Sequence, residues 1–166
     1  MRLQIIDLDN CISDDEWRIP AIDWHETNLM KRYHDYHMLG AFDQADNHGL
    51  FIGLPYDVRL FVFTARPKFF QANTVEWLRR NEVPCEVLFM RENDDMSPSC
   101  ELKKKFMSAV FTKYRIKASE ILAAYDDRKD VISTYKKMGV NGVIRSIHSA
   151  DVETISHAIV KGNKYD

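Results

Sequence analysis

No apolar run among these 166 residues approaches the roughly 18 needed to cross a bilayer, so no membrane partner is expected. The N-terminus lacks the basic, apolar and small-residue order of a secretory signal. Cysteine is scarce: Cys11, Cys85 and Cys100 are odd in number and share no metal-site spacing. That argues against a disulfide framework or a zinc ribbon and predicts a reduced, cytoplasmic compartment. A charge excess of either sign is also missing. With a net charge of -2, the chain does not attract polyanions through its overall field, and any basic surface must be local. There is no internal repeat, linker or low-complexity stretch. A composition of 45% hydrophobic and 29% charged residues suits one globular domain, read here over 1–166. Oligomeric state is not legible.

What is present is organised around Leu3-Gln4-Ile5-Ile6-Asp7-Leu8-Asp9-Asn10. An apolar run ends abruptly in two carboxylates at i and i+2. Such a run suits a strand of parallel sheet buried on both faces. Side chains alternate along a strand, so Asp7 and Asp9 share a side where the strand ends. Open α/β sheets hold ligands at that edge. Crowded carboxylates resist joint ionisation, and a divalent cation, usually Mg²⁺, relieves the repulsion. The bland alternative is an acidic turn that closes a strand.

Residues 14–50 are polar and aromatic, with His25, His34, His37 and His48 among Trp17, Trp24, Tyr33 and Tyr36. The pattern predicts helix over 22–39 in two pieces, with Gly40 and Gly49 as punctuation. Between two core strands, this segment reads as a small helical cap inserted over the sheet edge. His34 and His37 stand i, i+3, but no Cys or carboxylate completes a zinc set.

Further along, 58–63 is a second strand, ending in Thr64-Ala65-Arg66-Pro67. A helix over 69–81 follows, with Phe70, Val75, Trp77 and Leu78 as its apolar faces. A third strand over 87–90 ends at Arg91. The amphipathic stretch 100–114 carries Lys103, Lys104 and Lys105, a triplet whose plain reading is a solvated face. A fourth strand, 121–125, ends in Asp126-Asp127. A helix over 130–138 stops at Gly139, a short strand lies at 143–144, and a terminal helix spans 152–159. Strands alternating with helices predict an α/β three-layer sandwich around a mainly parallel, Rossmann-like sheet.

All four strand ends of a parallel sheet lie on one edge. Asp7 and Asp9, Thr64 and Arg66, Arg91, and Asp126 with Asp127 would therefore meet there. Carboxylates for a divalent ion, a hydroxyl, guanidinium groups and a nearby ammonium form a set suited to a phosphoryl group.

These motifs resemble those of the haloacid dehalogenase (HAD) phosphatase superfamily. Asp7-Leu8-Asp9, Thr64-Ala65-Arg66 and Asp126-Asp127 match its first, second and fourth motifs, and the third is a Lys on the helix before the fourth strand. More narrowly, the chain resembles the 3′-phosphatase domain of phage-type polynucleotide kinases. Arg18-Ile19-Pro20, Thr74-Val75-Glu76-Trp77-Leu78, Leu88-Phe89-Met90-Arg91, Glu101-Leu102-Lys103-Lys104 and Tyr125-Asp126-Asp127-Arg128 carry that resemblance, from about residue 3 to 146.

The resemblance implies Asp7 as nucleophile and Asp9 as general acid, then base. Thr64 would bond a phosphoryl oxygen, and Lys103 would neutralise nucleophile and phosphate, with Lys104 as the fallback in an ambiguous triplet. Asp7, Asp126, Asp127 and the Asp9 carbonyl would hold Mg²⁺, and Arg18, Arg66 and Arg91 would contact substrate. Two departures stand out. Asn10-Cys11 replaces the usual Gly-Thr, and Ser97-Pro98-Ser99-Cys100 replaces an Asp-rich stretch. No Gly-x-x-x-x-Gly-Lys-Ser/Thr loop for a kinase half occurs in the sequence.

The implied function is a Mg²⁺-dependent phosphomonoesterase for a nucleic-acid 3′-phosphate end. A (deoxy)nucleoside monophosphatase (5′-nucleotidase) is the alternative, with a non-catalytic phosphate-binding or phospho-receiver domain behind it. Trp17, Trp24, Tyr33 and Tyr36 are either cap core or a stacking surface for a base.

Overall fold

The computed structural model describes residues 2–46, 50–51 and 54–147. In chain order, β1 (Arg2–Ile6) leads into a turn and β2 (Ser13–Asp14). A short 3-10 helix (Glu16–Ala21), α1 (Leu29–Arg32) and α2 (His34–Leu39) follow, and β3 (Gln44–Ala45) returns antiparallel to β2. Then come β4 (Val58–Pro67), a 3-10 turn (Lys68–Phe70), α3 (Gln71–Arg80) and β5 (Cys85–Arg91). The chain closes with α4 (Ser99–Lys113), β6 (Ile121–Asp126), α5 (Lys129–Lys137) and β7 (Gly142–Ile144).

The sheet order is β5-β4-β1-β6-β7, with every pairing parallel. β1 is apolar on both faces because it lies at the centre. Leu3 and Ile5 pack with Phe61, Phe63, Met107, Val110 and Val131 on the α4 and α5 side. Ile6 and Leu8 pack with Leu60, Val62, Trp77 and Leu78 on the α3 side. After β1 the chain builds β4 and β5 on one flank, then crosses to β6 on the other. That reversal opens the crevice beyond β1 and β6 where open α/β sheets bind ligands. The register puts Ile6 beside Val62 and Tyr125, so Asp7, Thr64 and Asp126 stand at nearly the same level. Asp7 N–H donates to the Tyr125 carbonyl at 3.0 Å, fixing the end of β1 against β6.

Several local expectations change. Of the helix expected over 22–39 only 29–39 is helical, and its break at Tyr33 (φ -101°, ψ 8°) gives the two pieces expected. The 3-10 helix and the β2–β3 ribbon that closes the insertion carry too few residues to show periodicity. β4 runs on past Phe63 through the second motif to Pro67. Trp77 and Leu78 are buried on α3 as expected, but Val75 is 47% exposed and Thr74 is buried in its place. The helix expected over 152–159, with His48 and Gly49, lies outside the described residues. Among the described residues, no helix is long and apolar enough to cross a membrane.

Candidate active site

Helix phase decides the lysine triplet. Leu102, Lys103, Met107 and Val110 share the buried face of α4, so Lys103 enters the protein while Lys104 and Lys105 turn outward. The Lys103 Nζ reaches Asp7 Oδ1 at 2.8 Å and Asp126 Oδ2 at 2.5 Å. Lys104 lies 3.7 Å from Glu101, and Lys105 pairs with Asp95 at 2.9 Å.

Carboxylate oxygens of Asp7, Asp126 and Asp127 lie within 4.8 Å of one another, the one such acid, His or Cys grouping among the described residues. Asn10 Nδ2 donates to Asp127 Oδ2 at 3.1 Å. Its backbone is left-handed (φ 57°), a conformation that Asn adopts more readily than most residues. Cys11 is buried against Ile6, Leu8 and Ile12. Burial pushes Asp7 up to about 7, with Lys103 pulling it down and Asp126 pushing it further up. Burial, then the charges of Asp126 and Asp7, push Asp127 up to about 9. Burial alone would lower Lys103, but Asp126 and Asp7 overcome it and hold the ammonium well above its ordinary range. These three carboxylates carry more negative charge than one ammonium offsets. Their all-oxygen donor set fits Mg²⁺.

Beside this floor stands a wall of two buried arginines. Arg18 Nη2 lies 2.5 Å from Asp9 Oδ1 and 2.7 Å from Asp43 Oδ2. Arg66 Nη2 lies 2.5 Å from Asp9 Oδ1 and 3.2 Å from Asp43 Oδ2. Burial would raise Asp9, but Arg66 and Arg18 overcome it and hold the carboxyl well below the usual range. Asp43 also accepts from Ser13 Oγ and, at 3.0 Å, from Trp17 Nε1. Thr64 is buried, and its Oγ1 accepts from Arg66 N–H at 3.2 Å. Arg91 donates to the carbonyls of Ala65, Asp95 and Ser97 while lining the cavity.

Asp43 is the residue that sequence reading missed. A lone acid in a polar segment has no periodic or motif signal, and only the β2–β3 ribbon brings it to Arg18 and Arg66. Tyr36 is buried in the insertion, with its hydroxyl donating to Asp15 and its ring 4.0 Å under the Arg18 guanidinium. Trp24 packs edge-on against Tyr33, and Trp17 is spent on Asp43. His34 pairs with Asp35, and His37 packs on Phe70, and among the described residues neither belongs to a metal-holding group.

The floor and Asp9 line a cavity of about 350 Å³, while Arg18 and Arg66 are buried against Asp9 and lie outside the lining. Leu29, Met30, Tyr33 and His37 of the insertion line one side, and Met96, Ser97 and Pro98 the other. A carboxylate beside an ammonium, a cation-seeking cluster and two guanidiniums can together receive and transfer a phosphoryl group.

Residues 2–144 match the family model described as the polynucleotide kinase PNKP phosphatase domain. The chain belongs to that family of HAD phosphatases. It is a hydrolase of phosphoric monoesters. Among curated protein sequences none matches it. The phosphatase is similar in fold to a chain of the Pnkp1/Rnl/Hen1 complex, with 16% identity and a TM-score of 0.68. That match covers 90% of this chain and 46% of the other, so the phosphatase spans under half the length of that relative. A haloacid dehalogenase-like hydrolase from Streptococcus pneumoniae matches over 98% of each chain, with 9% identity and a TM-score of 0.64. An HAD family enzyme from Bacteroides thetaiotaomicron, in complex with magnesium and inorganic phosphate, has 12% identity and a TM-score of 0.58. Its match covers 93% of this chain and 98% of that one.

Proposed function

We propose that this phosphatase removes the 3′-phosphate from a nucleic-acid end, with Mg²⁺, through a phosphorylated Asp7. The observation that carries the reading is the meeting of Asp7, Lys103, Asp126 and Asp127 at the floor of a cavity that Asp9 and Arg91 also line, with Arg18 and Arg66 buried against Asp9. Asp7, Asp126, Asp127 and the Asp9 carbonyl would hold the cation. When bound, the cation offsets the charge on the carboxylates and phosphate, so that two anions can approach.

The rest of the chemistry belongs to side chains. A carboxylate oxygen of Asp7 attacks phosphorus, and the bond from phosphorus to the 3′-oxygen breaks. Asp9 gives its proton to that leaving oxygen, then takes one from the water that hydrolyses the aspartyl-phosphate. Lys103 keeps Asp7 ionised and offsets charge on the phosphoryl group. Thr64 bonds a phosphoryl oxygen, and Arg91 shapes the inner wall. While Arg18 and Arg66 grip Asp9, its carboxyl holds no proton. An incoming phosphate competes for the same guanidiniums, and as they turn toward it Asp9 regains proton affinity. Arrival of substrate thereby arms the acid.

A cavity of about 350 Å³ takes a ligand of single-nucleotide size and supports a second reading, a phosphatase of free nucleoside monophosphates. The free thiols of Cys11, Cys85 and Cys100 support a cytoplasmic setting. The test is phosphate release from an aryl phosphate with Mg²⁺ or chelator, followed by 3′-phosphorylated oligonucleotides and 5′- and 3′-mononucleotides. Chelator should abolish turnover and Mg²⁺ restore it, with 3′-phosphorylated ends preferred. Full activity in chelator removes the metal assignment, and preference for 5′-mononucleotides selects the second reading.

A further inference from the structure

A run of rings leads out of the catalytic cavity. His37 lines the cavity, and its ring lies 5.8 Å from Phe70. Phe70 meets His34 at 5.5 Å and Phe69 at 5.1 Å, edge-on in both contacts. Met30 lines both the cavity and a second hollow of about 400 Å³ formed with Lys31, His34, Asp35, Phe69 and Phe70. This hollow therefore adjoins the cavity and sits on the same edge of the sheet, where β4 gives way to α3.

Phe69 is 69% exposed, a large apolar surface left in water. Its position is nonetheless held. Asn93 Oδ1 accepts from its backbone N–H at 2.8 Å, and the neighbouring Lys68 pairs with Glu92. Asp35, the one carboxylate lining the hollow, is hydrogen-bonded to His34 Nδ1 at 3.0 Å. Lys31 also lines the hollow, and its ammonium has no ion-pair partner among the described residues. A fixed, solvent-facing aromatic beside an unpaired cation is the combination that holds single-stranded nucleic acid, where a base stacks and a phosphate meets positive charge.

We infer that Phe69 and His34 form a second subsite, on which the base preceding the 3′-phosphorylated nucleotide of a single strand stacks, with Lys31 beside the phosphate between them. The inference rests on the nucleic-acid-end reading above. It makes the phosphatase discriminate by length: a mononucleotide fills the cavity, and a strand fills cavity and platform together. Stacking tolerates any base, so the subsite selects a strand without selecting sequence.

Steady-state kinetics on a nucleoside 3′-monophosphate and a single-stranded 3′-phosphorylated trinucleotide test this. Phe69→Ala should raise KM for the trinucleotide roughly 5- to 100-fold and leave the mononucleotide parameters unchanged. Phe69→Leu should behave like Phe69→Ala, because it keeps bulk and loses the ring. Neither should shift the melting temperature by more than a degree or two, since the side chain is mostly in water. In chelator, anisotropy of a labelled oligonucleotide ending in a 3′-hydroxyl should show the same weakening without any turnover. If wild type hydrolyses both substrates and the Phe69 variants match it, the platform is wrong and the proposed function stands. A wild type that turns over aryl phosphate and neither nucleotide loses both. Loss of self-association in Phe69→Ala, with both substrates handled normally, would assign the surface to a second copy of the chain and overturn the inference.

Discussion

The floor and the wall of the cavity are both buried and both rich in carboxylates, yet Asp7 and Asp127 on the one and Asp9 on the other are shifted in opposite directions. On the floor, Asp7, Asp126 and Asp127 share the single ammonium of Lys103, and Asp7 and Asp127 are pushed up to about 7 and about 9. On the wall, Asp9 and Asp43 share two guanidiniums, and Asp9 is held well below its ordinary value. Burial acts on both in the same direction, so burial does not distinguish them. What differs is the ratio of fixed positive charge to carboxylate. Taking charges out of water is costly and is recovered only when partners are complete. On the wall each carboxylate meets both guanidiniums, so its charges are matched. The floor is short of positive charge, which a bound cation would supply.

The largest effect should come from breaking the floor. Asp7→Asn is expected to lower turnover of an aryl phosphate by about 10⁴-fold or more, as removal of a reacting group does. Because the change removes one of three crowded charges, the metal-free variant should melt no lower than wild type. Near-normal turnover would mean that the floor does not react. Lys103→Ala should be comparably inactive.

Breaking the wall should cost stability first. Asp43→Asn leaves Arg18 and Arg66 short of a buried acceptor, and breaking such a pair costs about 3–5 kcal/mol. In a domain of this size that is a drop of roughly 10 °C in melting temperature, readable by calorimetry. Mg²⁺ affinity, measured by titration calorimetry, should hardly change. An equal loss there would show that floor and wall are one network. Arg18→Lys should raise KM and lower kcat for a small aryl phosphate, because an ammonium cannot serve Asp9, Asp43 and a phosphate in the geometry of a planar fork.

A pH series sharpens the contrast at smaller amplitude. Asp7 and Asp127 have folded pKa values above their unfolded ones, so the stability linked to their protons is present at low pH and is lost as pH rises through about 7 and about 9. Asp9 is shifted the other way, and its contribution is already complete above the usual carboxylate range. His37, pushed down to about 3 by burial, is neutral from its unfolded value upward and adds no slope there. Metal-free protein should therefore lose a few degrees of melting temperature from pH 7 to pH 9, and Mg²⁺ should add more at pH 9 than at pH 7. A flat profile would mean that the floor carboxylates are not crowded. The smallest effect belongs to the outward lysines: Lys104→Ala should stay within about twofold of wild type in kcat/KM.

Much of this arrangement was legible residue by residue. The apolar run before Asp7 announced a central strand because a strand covered on both faces needs no polar alternation. Asp7, Thr64 and Asp126 could be brought to one edge because parallel strands all end on the same side. Lys103 was separable in principle, since it shares the phase of Met107 and Val110, but a triplet of identical residues blurs that phase. The insertion was hardest to read. Its helices are short, Ile22 lies outside them, and the β2–β3 ribbon has two residues a side, too few for any period to emerge.

The sequence by itself determined the fold class, the central strand and the floor, because strand burial and strand-end chemistry are local properties repeated along the chain. Only the tertiary structure decided the wall and the aromatic run. Asp43 meets Arg18 from 25 positions away and Arg66 from 23, and His34 of the insertion meets Phe69 of the turn after β4. Such contacts are set by how an irregular segment folds back on the sheet, and one carboxylate among polar neighbours carries no mark of the cation it will meet.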